Sequence, residues 1–102
     1  MVVHMVLGKP LDDLDEPAQR ELASALGSLG SIPGVMELTW GSDFSGRGDG
    51  YTFGAVIHLA DREALQHYLT HPGHLQVVDV LNRVMPERLV LDYETATSAM
   101  ST

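Results

Sequence analysis

The sequence contains no cysteine, few positive charges and no long apolar run. The absence of cysteine excludes disulfides, thiolate metal sites and cysteine nucleophiles. Six lysines and arginines stand against fourteen aspartates and glutamates, a formal net charge of -8. Because clustered lysine and arginine supply most of the affinity for nucleic acids and anionic membranes, we expect neither as a partner. No segment approaches the roughly 18 apolar residues of a membrane span, and no signal peptide is evident, which favours a cytoplasmic protein.

The composition is that of one folded domain. Hydrophobic residues make up 44% of the 102 residues and charged residues 20%, which is typical of globular chains. A chain of this length supports one core rather than two. We therefore predict a single domain over residues 1–95 and a flexible C-terminal tail of small residues over 96–102.

The pattern of apolar residues predicts four strands and two helical regions. Asp61 is a suitable N-cap for the second region. Pro72 divides that region, because the residue before a proline is disfavoured in helical geometry. The predicted strands are 2–7, 35–41, 51–59 and 87–94, and the predicted helices are 14–29, 62–69 and 72–84, the last with Leu75, Val78 and Leu81 facing inward.

This order, β-α-β-β-α-β, is typical of a ferredoxin-like α+β fold, in which helices cover one face of a four-stranded antiparallel sheet. Apolar residues occur on both faces of the first, second and last predicted strands. On a monomer the uncovered face would be a large exposed apolar patch. We therefore predict a homodimer in which two sheets pack face to face about a twofold axis as a dimeric α/β barrel.

The segment HYLTHPGH, residues 67–74, places three histidines and a tyrosine around one proline. His67, His71 and His74 have the spacing that would put three metal ligands on one face of an uninterrupted helix. Pro72 interrupts this helix, because the chain leaves the helix at His71. The rings of the three histidines then diverge. We predict that this segment binds no metal and that the protein uses no cofactor.

Tyr68 and His74 are the predicted acid/base pair. Enolate chemistry requires one group that removes a proton beside a carbonyl and another that donates to the oxygen as it gains negative charge. Histidine, which titrates near neutral pH, suits the first task, and a neutral tyrosine hydroxyl suits the second. The kink would turn both side chains toward one cavity beneath the helices. The predicted substrate-binding residues of that cavity are His4, Val6, Phe53 and His71.

A structural interpretation of the same residues stays open. A histidine before a proline often caps a helix, a tyrosine at helical spacing commonly packs in the core, and a histidine such as His74 can simply bond a backbone carbonyl. In this interpretation His4 is an interior strand residue satisfied by a partner. We expect His58 to lie at a rim or interface and His67 to be exposed to solvent.

Several stretches of the chain together resemble one known family. These are ELTWG, the GYTF that follows the glycine-rich loop, REALQHYLTHPGHLQVV and RLVLDY, and the likeness runs from VHMVLGK to LDYE. They resemble the stress-responsive dimeric α/β-barrel domain family. The resemblance implies the same ferredoxin-like dimer, although it carries only an associational argument for function.

One branch of that family closes a polyketide ring by an aldol-type condensation without cofactor or metal. In that branch the tyrosine and the second histidine of a Y-x-x-H-P-x-H segment form the acid/base pair, and the resemblance assigns these roles to Tyr68 and His74. A further histidine on the first strand matches His4. A third-strand histidine is replaced here by Phe53, which implies a less polar pocket and argues against an identical substrate.

Three hypotheses follow from these residues. The first is a cofactor-free acid/base enzyme acting on a small hydrophobic carbonyl-containing molecule, such as a polyketide cyclase that catalyses aldol-type ring closure or dehydration. The second is a non-catalytic stress-response or ligand-binding dimer. The third is a cofactor-free monooxygenase on the same fold. Substitution of Tyr68 and His74 discriminates the first two hypotheses. In an enzyme it would remove turnover and leave thermal stability nearly intact, whereas a large loss of stability without any identified activity would favour the non-catalytic dimer.

Overall fold

The structure, a computed structural model, describes residues 1–11 and 14–95. These residues form four strands and three α-helices in the predicted order. The strands are β1 (Val2–Lys9), β2 (Val35–Ser42), β3 (Phe53–Leu59) and β4 (Glu87–Glu94), and the helices are α1 (Glu16–Ser28), α2 (Arg62–Thr70) and α3 (Pro72–Val84), with a 3-10 turn at Leu29–Ser31 after α1. The predicted tail over 96–102 lies outside the described residues. None of the described helices is long and apolar enough to cross a membrane.

The four strands form one antiparallel sheet with the order β2-β3-β1-β4. This arrangement confirms the predicted ferredoxin-like fold. β1 is a central strand, and its register places His4 opposite Ile57 of β3 on one side and opposite Asp92 of β4 on the other. Residues that are paired in this way point to the same face of the sheet.

The helices begin at the residues whose side chains cap them. The carboxylate of Asp15 accepts a hydrogen bond from the backbone N–H of Ala18 at 2.9 Å, and that of Asp61 accepts from Ala64 at 2.8 Å. Each bond satisfies an N–H that has no partner inside its helix. α1 is shorter than predicted at both ends, because Asp15 caps it and Leu29 already belongs to the 3-10 turn.

The hydrophobic core lies between the helices and the sheet face that carries Ile57 and Leu59. The predicted inward orientation of α3 is partly wrong. Leu75 is 53% exposed and Val78 is only half-buried, whereas Leu81 is buried as predicted. The buried stripe of this helix consists instead of Val77, Val80, Leu81 and Val84, which recur at helical spacing with a different phase.

The opposite face of the sheet carries exposed apolar side chains. Leu89, Leu91 and Tyr93 alternate along β4 with residues that face the helices, and they are 52%, 58% and 43% exposed. Leu7 of β1 is paired with Leu89 and therefore lies on the same uncovered face. The second apolar face predicted from the sequence is present.

Candidate active site

The corner between α2 and α3 is built around His71. Its backbone is extended, with φ −69° and ψ 138°, so it ends one helix and begins the next. Its Nδ1 accepts a hydrogen bond from the N–H of Gly73 at 2.9 Å. Its own N–H donates to the carbonyl of Tyr68 at 3.1 Å, and its carbonyl accepts from Leu75 at 3.0 Å. The ring and backbone of His71 therefore hold both helix ends, which is the capping role that the structural interpretation expected.

The three histidines of this segment point in different directions, as the helix break at Pro72 led us to predict. The His67 side chain is 76% exposed and lies 3.9 Å from Glu63. The ring of His71 accepts a hydrogen bond from the N–H of Gly73, and only His74 of the three turns toward the sheet. Among residues 1–11 and 14–95, no group of three or more histidine, aspartate or glutamate side chains is arranged to hold a metal ion. That the protein works without a metal stays a prediction.

Tyr68, His74 and His4 form a compact cluster of three rings between the helices and the sheet. The ring centroids of Tyr68 and His74 lie 4.6 Å apart, those of His4 and Tyr68 lie 5.4 Å apart, and those of His4 and His74 lie 6.2 Å apart. Tyr68 is 1% exposed and His4 4% exposed. The structure therefore brings the two predicted catalytic residues together with one predicted substrate-binding residue.

His74 is held in the tautomer that suits a base. Its Nδ1 lies 3.0 Å from the carbonyl oxygen of Leu69. Because a carbonyl only accepts, Nδ1 carries the proton, and the Nε2 of the neutral ring keeps a free lone pair. Burial lowers the pKa of His74 below its ordinary value of 6.5; the Leu69 hydrogen bond partly opposes this effect, and the nearby His4 adds to it. At neutral pH the ring is predominantly uncharged.

Tyr68 is held in the form that suits an acid. Burial, and to a lesser degree the charge of Asp92, raises the pKa of its hydroxyl well above the ordinary value of 10.0. The hydroxyl makes no hydrogen bond within the described part of the chain, and no fully buried side-chain oxygen or nitrogen there lacks a partner. The hydroxyl oxygen therefore keeps a small solvent-accessible area, although Tyr68 as a whole is 1% exposed.

Asp92 completes the cluster, a position that was not predicted from the sequence. Its carboxylate is hydrogen-bonded to the Nδ1 of His4, whose side chain is 5% exposed, whereas that of Asp92 is 38% exposed. The carboxylate fixes the orientation of the imidazole and leaves its Nε2 free. The only signal in the sequence was the pair of strands VHMVL and LVLDY, which reveals this contact once their register is known.

The other predicted substrate-binding residues lie outside the ring cluster. Val6 is buried two residues beyond His4 on the same face. Phe53 is paired with Gly8, four residues beyond His4, which corresponds to about 13 Å along the strand. His71 borders a separate surface hollow together with Ile32, Pro33, His67 and Thr70. Substrate contact by these residues stays a prediction.

Several hollows surround the fold. Two of about 490 and 420 Å³ share Trp40 and Phe53, at the end of the sheet away from the ring cluster. A smaller hollow of about 190 Å³ lies between α2 and β4 and contains Asp92, which links it to the cluster. Its other lining residues include Val2, Arg62, Leu65, Gln66 and Glu94. Neither Tyr68 nor His74 lines any of these three hollows.

Comparison with known proteins adds to this geometry. Residues 2–95 match the Dabb family, the stress responsive A/B barrel domain. The chain belongs to this family. The predicted resemblance is thereby confirmed.

A curated relative of this Dabb domain is olivetolic acid cyclase from Cannabis sativa, 27% identical over 95 residues, which cover 90% of this chain and 94% of the relative. A hydroxynitrile lyase from Passiflora edulis has a similar structure, with a TM-score of 0.84, 20% identity and coverage of 95% and 94% of the two chains. A dimeric ferredoxin-like protein of unknown function from Thermobifida fusca gives a TM-score of 0.80 at 20% identity, covering 92% of this chain and 90% of its own. The two structural likenesses establish the fold.

Proposed function

We propose that this Dabb domain is a cofactor-free acid/base enzyme that acts on a small carbonyl-containing molecule, with aldol-type cyclisation or dehydration as its reaction. The observation that supports the proposal best is the contact between Tyr68 and His74. Their rings are 4.6 Å apart, and burial shifts the pKa of the phenol upward and that of the imidazole downward. At neutral pH one group therefore holds a proton and the other accepts one.

The proposed reaction begins with the Nε2 of His74, which removes a proton from the carbon beside one carbonyl. The electrons of that C–H bond form a new C–C bond to a second carbonyl carbon of the same chain. The oxygen of the second carbonyl takes the hydroxyl proton of Tyr68. The imidazolium of His74 then returns its proton to the tyrosinate, so both side chains regain their starting state. Loss of water from the aldol product completes a dehydration.

His4 and Asp92 provide a second basic group in this proposal. The Nδ1 of His4 is bonded to the carboxylate, and its ring centroid lies 5.4 Å from that of Tyr68. The free Nε2 of His4 is therefore available to take the proton from the carbon beside the carbonyl during dehydration and to pass it to the hydroxyl group as the C–O bond breaks, so that the hydroxyl leaves as water. Asp92 acts through His4 as a positioning residue, since it holds the ring in one orientation.

The curated relative supports the reaction class. Olivetolic acid cyclase is by its name a cyclase, and the alignment to it extends over most of both chains. Tyr68 and His74 fall on the positions that the resemblance assigns to acid/base chemistry, and His4 matches a further active-site histidine of that branch. Phe53 stands in place of a histidine about 13 Å along the sheet from His4, so we propose that the substrate makes no polar side-chain contact at that position.

We also propose that the protein is a homodimer. The uncovered sheet face carries Leu89, Leu91 and Tyr93, all more than 40% exposed. Burial of apolar surface at about 25 cal/mol per Å² favours association of two such faces. The Thermobifida fusca protein of the same fold is described as dimeric. Analytical ultracentrifugation tests this proposal, and a sedimentation coefficient that stays monomeric up to high micromolar concentration would contradict it.

The enzymatic proposal is tested with linear poly-β-keto thioesters, whose cyclised products are identified by liquid chromatography and mass spectrometry. We expect the wild-type chain to accelerate ring closure and His74→Ala to reduce turnover by about 100- to 10,000-fold, the usual contribution of a general base. His67→Ala is the matched control, because His67 is an exposed histidine of the same segment. Equal turnover by wild type and His74→Ala would rule out the proposed base.

A further inference from the structure

The side chains of Leu75, Val90 and Arg88 border a strip of surface between α3 and β4, here named the groove, which lies next to the ring cluster. The bond from Arg88 of β4 to Asn82 of α3, 2.9 Å long, identifies the side of α3 that faces this strand. Leu75 lies on that side, two turns before Asn82. It is 53% exposed, and Val90 on the helix-facing side of β4 is 56% exposed. Two large apolar side chains therefore stand uncovered along one groove.

The floor and the inner end of the groove are formed by residues next to the catalytic cluster. Val6 of β1 is paired with Val90 and is 7% exposed, so it forms an apolar floor. Two residues further along β1 lies His4, and beside Leu75 on α3 lies His74. The apolar groove is thus continuous with the site rather than a separate patch.

Arg88 stands at the outer end of the groove as an oriented positive charge. Its guanidinium donates to the carbonyl of Met85 at 2.8 Å and to the side chain of Asn82 at 2.9 Å. The preceding carboxylate, Glu87, lies 3.1 Å from Lys9 instead. Within residues 1–11 and 14–95, no carboxylate lies within ion-pair distance of Arg88. A guanidinium with its plane fixed and part of its donors free is well suited to bind a carboxylate or a phosphate.

The separation of the two ends sets the length of a fitting ligand. Arg88 is paired with Gly8, four residues from His4 on the same face of the sheet. At 3.3 Å per residue this corresponds to about 13 Å. We propose that the groove binds the apolar chain of the substrate, with the reacting carbonyl at Tyr68 and an anionic group at the far end on Arg88. This inference deepens the proposed function and rests on it for the identity of the reacting end.

The probe for this proposal is 9-oxodecanoate, a linear ketone with a carboxylate at its other end, compared with its methyl ester. Isothermal titration calorimetry measures the dissociation constant of each compound. We expect the wild-type chain to bind the acid about tenfold more tightly than the ester, because a hydrogen-bonded charge pair contributes roughly that factor. Arg88→Met should bind both compounds with the affinity of the ester, and Arg88→Lys should keep part of the preference.

A second pair of variants tests the apolar groove itself. Val90→Asp places a charge inside the groove and should weaken binding of both compounds more than tenfold. Leu11→Asp is the control, because Leu11 is similarly exposed, at 52%, and lies outside the groove. Thermal unfolding of each variant verifies that it is folded.

Three outcomes would overturn the inference: equal affinity of wild type for acid and ester, a preference that persists in Arg88→Met, or equal losses in Val90→Asp and Leu11→Asp. A preference that depends on Arg88, in a protein that cyclises no poly-β-keto thioester, would support the groove and contradict the proposed function. The two proposals therefore fail separately.

Discussion

Replacement of Tyr68 by phenylalanine separates a catalytic hydroxyl from a structural one. The substitution keeps the buried ring and removes one oxygen, which has no hydrogen-bond partner among the described residues. Removing a buried group that bonds a partner leaves that partner unsatisfied and costs about 1–3 kcal/mol. Because no such partner is present here, we expect the free energy of unfolding to change by less than about 1 kcal/mol. Turnover should fall by about 100- to 10,000-fold, since the acid is lost.

Urea unfolding followed by the fluorescence of Trp40, the single tryptophan, measures the stability change. The cyclisation assay on the same preparation measures turnover. Tyr68→Ala is the control for packing, because removal of a fully buried aromatic ring should cost about 3–5 kcal/mol. A loss of about 2 kcal/mol or more in Tyr68→Phe would show that the hydroxyl is structural, and unchanged turnover would show that it is no acid. Either result refutes the assignment.

Three further predictions concern the neighbours of this tyrosine. Because burial lowers the pKa of His74 and its neutral form is the base, activity should fall with decreasing pH only below about 6.5; a pH–rate profile with its acid limb above 7 would disagree. Asp92→Asn should reduce kcat with little change in KM, and the effect should largely vanish in a His4→Ala background, since the carboxylate acts through that ring. Gly34→Ala should destabilise the fold by more than about 1 kcal/mol in urea unfolding, because Gly34 has φ +92° and an added Cβ would lie 2.7 Å from that of Ala64; an unchanged midpoint would contradict this.

Local signals were enough to predict the helix caps and the corner. Asp61 caps α2 and Pro72 is the first residue of α3, as predicted, because both effects act within a few residues. The phase of α3 was partly wrong for a different reason. Leu75 is apolar and one turn from Val78, yet the surface that α1 and the sheet offer buries the stripe around Val80 instead. Single-sequence periodicity does not reveal which of two apolar stripes meets the core.

The candidate site also has one part that local sequence predicts and one part that depends on the whole fold. Tyr68 and His74 are close in sequence, and the proline between them made their convergence predictable. Asp92 is 88 residues from His4, and only the register between β1 and β4 brings the two together. Strand register depends on pairing across the whole fold rather than on local composition. The HYLTHPGH segment alone therefore does not predict Asp92 as the positioning residue.

The break between α2 and α3 is what makes an acid/base pair from this segment. In a continuous helix, residues six apart would be separated by a rise of about 9 Å and would lie on different sides. The extended backbone of His71 reverses this, and the rings of Tyr68 and His74 come to 4.6 Å. The same break frees the carbonyl of Leu69 at the end of α2, and that carbonyl fixes the tautomer of His74. The corner therefore sets both the distance between Tyr68 and His74 and the tautomer of His74. A continuous helix of the same composition would set neither of them.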